Sequence, residues 1–194
     1  AGRHHPMRPF FGDTHLHTSF SMDAATRNLT VAGYVRGVPM GGYLSNAPEG
    51  KSPSFLVAAL RDPIGANLDR IQIIKGWLDA DGEVHERVHE VVWGDAATRQ
   101  PGADGKLPPV GNTVDVDNAT WTNTIGDPEL IAVWRDPDFD PAQRAFYYAR
   151  VLEIPTPRWT AYDAERFDVT PLPDTTMMLQ ERAYTSPIWY TPAQ

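Results

Sequence analysis

The chain has 194 residues, a formal net charge of −8 at pH 7 and a sequence pI near 5.1. This acidic balance argues against a nucleic-acid partner, because phosphate binding needs clustered Lys and Arg. There is no cysteine, which excludes disulfides, thiolate metal sites and a cysteine nucleophile, and no apolar run is long enough to span a membrane.

The N-terminal part contains the sequence Gly-Asp-Thr-His-Leu-His-Thr-Ser-Phe-Ser-Met-Asp, residues 12–23. Phe10–Leu16 is predicted to be a strand, and His15 and His17 then occupy the same face because side chains alternate with a period of two. Both imidazoles can reach one divalent cation, and the chain between His15 and Asp23 is long enough to return a carboxylate. The alternative is a surface loop that happens to be rich in His and Asp.

The pattern Asp-x-His-x-His-Thr-x-x-Ser-x-Asp resembles the first metal motif of PHP-type hydrolases, the polymerase and histidinol phosphatase superfamily, and one bacterial domain-of-unknown-function family within it. The resemblance implies a (β/α) barrel that holds Zn, Mn or Fe and hydrolyses phosphoesters. It makes His15 and His17 metal ligands, Asp23 a third ligand and Asp13 an orienting carboxylate. Its implied substrate is a small phosphorylated or ester compound.

The rest of the chain departs from that superfamily. The later metal motifs, among them an Asp-His pair and a closing Asp-x-His, are not present. The segment from Val35 to Pro192 resembles the β-rich C-terminal part of the same family, which predicts an internal deletion, since a full barrel needs around 250 residues. We therefore expect a PHP-type remnant at 1–34 and a β-rich domain at 35–194, mainly β, with an immunoglobulin-like β-sandwich fold.

The β-rich part begins with a predicted buried strand, Ser54–Leu60. Arg70–Leu78 and Val84–Trp93 follow as a β-hairpin, because the apolar residues alternate and Asp79–Gly82 is a turn sequence whose glycine tolerates positive φ. The fifteen glycines and eighteen prolines of the chain also favour a strand-rich fold with many turns.

Further strands are predicted at Glu129–Trp134 and Arg144–Ile154, and a short helix at Trp159–Arg166. Ser186–Tyr190 is predicted to be a terminal edge strand, where a proline is tolerated because one side lacks a partner. The tyrosines that open the 144–154 strand are reminiscent of the tyrosine corner of immunoglobulin-like sandwiches. Most of the six tryptophans fall on predicted strands, which favours core packing over a sugar-binding platform.

His85-Glu86-Arg87-Val88-His89 matches the His-Glu-x-x-His pattern of zinc proteases. That mechanism needs a helix, which places the two histidines on one face. On a strand, residues four apart are separated by roughly 13 Å at about 3.3 Å per residue, so one zinc cannot bind both. We interpret these residues as the exposed face of the hairpin.

Two functions follow as hypotheses. The first is a PHP-type, phosphoesterase-like metal-dependent hydrolase, impaired because later metal motifs are missing. The second is a non-catalytic β-sandwich that serves as an accessory or oligomerisation module. A homo-oligomer whose partner chain supplies the missing ligands is a third hypothesis.

Overall fold

The computed structural model describes residues 15–19 as backbone, together with residues 37–45 and 47–192. The elements are β1 (His15–Ser19), β2 (Tyr43–Ser45), β3 (Ser54–Leu60), β4 (Leu68–Leu78), β5 (Val84–Trp93), β6 (Glu129–Arg135), β7 (Ala145–Glu153), β8 (Thr156–Pro157), α1 (Trp159–Phe167), β9 (Met178–Leu179), β10 (Arg182–Tyr184) and β11 (Ile188–Thr191). In the described part of the chain, no helix has the length and apolar character needed to cross a membrane.

The strands form two principal sheets. Sheet A has the order β1-β3-β6, and sheet B has the order β2-β11-β7-β4-β5, with β10 also paired to β7. All pairs within the two sheets are antiparallel except β2 with β11, which is parallel. Strands β8 and β9 make a separate ribbon. The prediction of a mainly β chain is confirmed.

The hydrophobic core lies between the two sheets. Alternate residues of β3, β4 and β7 contribute to it, as their inward positions require. Its fully buried members include Phe55, Val57, Ile71, Ile73 and Tyr147. Burying each large apolar side chain contributes about 1.5–3 kcal/mol, so this inter-sheet layer is the main source of stability. A core enclosed by two sheets makes the domain a β-sandwich, as predicted.

The hairpin β4–β5 is confirmed, with one irregularity in its register between Ile71 and Gln72. Its turn is closed by Asp79, whose Oδ1 accepts hydrogen bonds from the backbone N–H groups of Asp81 at 3.0 Å and Glu83 at 2.9 Å. Gly82 has a φ of 83°, a left-handed conformation that glycine adopts without steric cost. The turn that joins the two strands is therefore specified by local sequence.

The last strand differs from the prediction. β11 was expected at a sheet edge, yet it pairs with β7 on one side and with β2 on the other. The proline at position 187 precedes the strand and takes no place in its ladder. The edge position belongs to β2, which is contributed by the distant segment Tyr43–Ser45 and was not recognisable from local pattern.

The predicted helix is also confirmed, over Trp159–Phe167. It ends at Asp168, which has a φ of 49° and donates its backbone N–H to the carbonyl of Ala164. Ala161 is its buried residue, and Trp159 is 62% exposed. The helix therefore lies on the surface, and the main hydrophobic core is formed by the sheets.

The long loop after β5 is attached to the sandwich by one buried arginine. The guanidinium of Arg99 pairs with the carboxylate of Asp69, and its Nε donates to the carbonyl of Pro108 at 2.8 Å. The carbonyl of Arg99 accepts from the indole N–H of Trp93 at 2.7 Å. A planar guanidinium can bind several acceptors at once, so this residue fixes the first part of the loop, up to Pro108, against β4 and β5.

Candidate functional site

The predicted metal ligands His15 and His17 lie on β1. This strand runs antiparallel to β3, and the register pairs His15 with Ala58 and His17 with Leu56. Directly opposed residues of an antiparallel pair share one face of the sheet. Both histidine positions are therefore on the face of sheet A opposite to that of Phe55, which belongs to the core.

The other two predicted site residues, Asp13 and Asp23, lie outside the described residues. On β3 and β6 the positions level with the two histidines are apolar: Leu56 pairs with Val133, and Ala58 pairs with Ile131. Those strands supply no ligand at that level, and in the described ranges no group of three or more His, Cys, Asp and Glu side chains is assembled for a metal.

The His-Glu-x-x-His segment lies on β5, as predicted, and not on a helix. His85 Nε2 is 2.6 Å from Asp79 Oδ2, and the His85 ring stacks on Trp77 with centroids 5.2 Å apart. His89 instead faces the sheet interface, where its ring centroid is 4.7 Å from that of Trp134. The two histidines thus have separate partners. The expectation that both line an exposed face was wrong for His89, because the inward positions of β5 are covered by β6.

A buried polar cluster that sequence pattern did not reveal joins β4, β7 and the loop after β6. Lys75 Nζ is 2.7 Å from Asp136 Oδ2, and the hydroxyl of Tyr147 donates to the same oxygen at 2.7 Å. The backbone N–H of Asp138 donates to Asp136 Oδ1 at 2.9 Å. Burial, and then the charge and hydrogen bond of Asp136, raise the pKa of Tyr147 far above its usual value.

The other charged and hydrogen-bonding groups around that cluster also have partners. Lys75 Nζ donates to the carbonyl of Asp138 at 2.8 Å and lies 5.2 Å from the ring centroid of Trp77. The neighbouring Arg87 forms an ion pair with the side chain of Asp138. Because both charges have partners and the carboxylate accepts at both oxygens, the cluster fixes the 136–140 loop to the sheet. Tyr147 therefore differs from a tyrosine corner, because its hydroxyl donates to a side chain and not to the backbone.

The outer face of sheet B carries a group of apolar and aromatic side chains that are exposed or partly exposed. We call it the aromatic face; its members are Tyr43, Val84, Phe146, Tyr148, Tyr184 and Trp189. An open groove of about 410 Å³ crosses one end of it, from Tyr43 and Trp189 to Val84. The sequence prediction that tryptophans serve core packing does not hold for Trp189, which is 43% exposed. The alternation along β7 could not decide which face is exposed, because Tyr147 on the core face and Phe146 and Tyr148 on the outer face are all aromatic.

A family model described as a protein of unknown function (DUF3604) matches residues 25–192. No curated protein matches the chain. No solved structure matches it either.

Proposed function

Since the chain belongs to this family of proteins of unknown function, we propose a function from its own residues: it is a divalent-metal-binding protein of phosphoesterase-like hydrolase type. His15 and His17 are the proposed ligands, Asp23 completes the donor set, and Asp13 orients an imidazole. The match of residues 25–192 covers every strand of the β-sandwich except β1, which contains the two histidines. The proposal therefore rests on the motif itself.

The observation that carries the proposal is the register of β1. It puts His15 and His17 level with Ala58 and Leu56, and so on a single face of sheet A. Alternate positions of a strand lie on the same face of a sheet, which is the arrangement that two histidines need to share a cation.

The donor set fits the metals named above. Imidazole nitrogen together with carboxylate oxygen suits Zn, Mn and Fe, whereas a site without thiolates does not favour soft ions. A bound metal of this kind supplies Lewis acidity and an activated water. The chain's own contribution is to hold the imidazoles in place and to present an open side. With few ligands from one segment, binding is weak and turnover slow.

Metal analysis of the purified protein after dialysis against Zn²⁺, Mn²⁺ or Fe²⁺ tests this function. One bound metal per chain is expected, together with slow hydrolysis of bis(p-nitrophenyl) phosphate. The double change His15→Ala/His17→Ala should remove both. The matched control is His85→Ala/His89→Ala, which removes the other two histidines of a strand and should leave metal content unchanged.

Metal that persists in the His15→Ala/His17→Ala protein would reject the assignment. So would equal loss in both double variants, because that result points to nonspecific histidine binding.

A second candidate function is favoured by a different observation, the exposure of the aromatic face. Tyr43 is 74% exposed and Tyr184 is 55% exposed on a sheet whose other side is the core. Soluble monomers rarely leave a contiguous apolar patch of more than a few hundred Å² in water. This surface supports a non-catalytic role, in which the sandwich is an accessory or oligomerisation module. Retained folding and association in metal-free protein would support that role.

A further inference from the structure

The groove at one end of the aromatic face is lined by two neighbouring rows of outward-facing residues. The register sets Tyr43, Trp189, Phe146 and Gly76 side by side in the first row, across β2, β11, β7 and β4. The second row lies two residues further along the strands. The groove has a volume of about 410 Å³, which is within the range of roughly 300–1,000 Å³ that small-molecule sites occupy.

Arg144 lies in the second row, just before β7. Its carbonyl accepts a hydrogen bond from the backbone N–H of Leu78 at 3.1 Å, which places the two residues level with each other. Leu78 in turn pairs with Val84 on β5. Because alternate positions of a strand share a face, these three residues lie on the same side of the sheet as Phe146. The groove therefore brings one arginine together with the apolar side chains of both rows.

The positive charge in the groove has no counter-charge within the described chain. Arg144 is the charged member of the groove lining, and the other lining residues are apolar or uncharged. It is exposed, and its guanidinium forms no ion pair with any described residue. The buried cations Lys75 and Arg99, by comparison, each have a carboxylate partner. Glu86, which pairs with Gly76 on β5, is not among the residues that line the groove.

These groups define the chemistry of a ligand that would fit. The guanidinium of an arginine is weakly hydrated, and its fork of N–H donors matches an oxyanion such as a carboxylate. Aromatic side chains pack well against other rings at centroid separations of about 4.5–7 Å. The rings of Phe146 and Trp189, 5.3 Å apart, already form such a pair beside the arginine. A molecule with an aromatic body and one anionic group complements both features.

We infer that this groove is a binding site for a small aromatic anion. Arg144 binds the anionic group, and the rings of Tyr43, Phe146 and Trp189 pack against the aromatic body. The inference goes beyond both candidate functions, since it requires neither a bound metal nor association of the sandwich. It also gives a reason for the exposure of these rings, because a ligand in the groove removes part of their apolar surface from water.

Fluorescence titration with 1-anilinonaphthalene-8-sulfonate tests the site, because this dye is an aromatic anion whose emission increases when it leaves water. One dye molecule per chain is expected, with a Kd on the order of tens of micromolar. N-phenyl-1-naphthylamine has the same rings without the sulfonate. Arg144→Gln should raise the Kd of the anionic dye about tenfold and leave the Kd of the uncharged dye within about twofold of its original value.

Arg166→Gln is the matched control for the loss of charge. Arg166 also lies beside an exposed ring, with its guanidinium carbon 5.7 Å from the centroid of Phe167, but it is not part of the groove. An arginine next to an aromatic ring is therefore present in both places, and the groove in one. The Arg166→Gln protein should bind both dyes like the unmodified chain.

A second pair of variants adds a negative charge instead of removing the positive one. Val84 lines the groove and is 77% exposed, so Val84→Glu should keep the fold and raise the Kd of the anionic dye about tenfold. Val88 lies on the same face of β5, is also exposed, and is not among the lining residues. Val88→Glu should leave the Kd unchanged.

Competition tests the aromatic body of the ligand. 2-Naphthoate should displace the dye, and decanoate should need at least about a tenfold higher concentration, because an alkyl chain cannot stack on the rings. Equal displacement by the two acids would overturn the inference.

An unchanged Kd in Arg144→Gln would also overturn it, and so would equal weakening by Val84→Glu and Val88→Glu. The His15→Ala/His17→Ala protein should bind the dye like the unmodified chain, so that failure of the metal-binding function is distinguishable from failure of this site. Light scattering of the same samples reports association. A chain that associates and excludes the dye would show that a protein surface covers the groove and would reject the ligand site. Circular dichroism checks that each variant is folded.

Discussion

The ring of Phe146 lies directly over Gly76. A Cβ built on Gly76 would be 2.3 Å from Cζ of Phe146, far inside contact distance. The two residues face each other across β4 and β7 on the outer side of sheet B. The absence of a side chain at position 76 therefore leaves the space that the ring occupies.

Replacing Gly76 by Ala should destabilise the fold by about 1–3 kcal/mol, because the phenyl ring must leave its rotamer or the strand must shift. The double variant Gly76→Ala/Phe146→Leu should recover part of that loss, since a smaller side chain removes the clash. Urea unfolding of the two single variants and the double variant measures the coupling. Strictly additive effects would contradict the contact.

The buried pair of Lys75 and Asp136 predicts a large asymmetry between single and double changes. Asp136→Asn leaves a buried ammonium without its counter-charge and should cost about 3–5 kcal/mol. Lys75→Met should cost a similar amount, and Lys75→Met/Asp136→Asn less than the sum of the two. Arg87→Met breaks an exposed ion pair and serves as the control, with an expected cost of about 0–1 kcal/mol. Equal costs for Asp136→Asn and Arg87→Met would show that burial of the pair contributes nothing.

His89 predicts a loss of stability in mild acid. Burial lowers the pKa of His89 below that of a free imidazole, against the opposing charge of Asp136. Its Nε2 is buried and has no hydrogen-bond partner among the described residues. The neutral ring is favoured in the folded state, so its contribution to stability is fully present above the unfolded pKa and is lost as the pH falls through the lowered folded pKa.

His89→Phe should flatten that pH dependence, because a phenyl ring keeps the contact with Trp134 and does not titrate. Urea unfolding from about pH 8 to about pH 5 measures the slope. Val91→Ala, on the same strand, is the control; it should lower the free energy of unfolding at every pH and leave the slope unchanged. An unchanged slope in His89→Phe would mean that other groups cause the acid dependence.

For Glu153 we expect the opposite pH dependence of stability. Burial, and then the charges of Glu181 and Asp62, raise the pKa of Glu153 above that of an ordinary glutamate. The protonated form is favoured in the folded state, so stability decreases as the pH rises from the unfolded pKa through the raised folded pKa. Glu153→Gln should therefore increase the free energy of unfolding at neutral pH by up to about 0.5 kcal/mol, after allowance for partial exposure.

Thermal unfolding of Glu153→Gln at about pH 7 and about pH 4 checks this prediction. The gain should be present at the higher pH and absent at the lower one. Glu181→Gln should give a smaller gain, because its charge is the second cause of the shift. A gain of the same size at both pH values would point to packing instead of ionisation.

Much of the fold follows from local sequence. The hairpin from Leu68 to Trp93 is specified by alternating apolar residues and by a turn that needs its Asp and Gly. The helix at Trp159–Phe167 and the strands beginning at Ser54, Glu129 and Ala145 were also predictable within one or two residues. Period and turn chemistry act over a few neighbours, so the sequence contains them directly.

The candidate site was predictable only in part. The alternation of His15 and His17 follows from strand period, and the register of β1 against β3 agrees with it. The pairing of Lys75 with Asp136 has no sequence signal, because these residues are distant in the chain and neither stands in a motif.

The sequence by itself therefore determined the mainly β class, the hairpin, the helix and the spacing of the two N-terminal histidines. Only the tertiary structure decided that β2 covers the edge of β11, that Lys75 meets Asp136 between the sheets, and that the rings of β7 split between core and surface. The physical reason is that strand pairing and sheet stacking depend on contacts between distant residues. Local propensity limits those contacts and does not select among them.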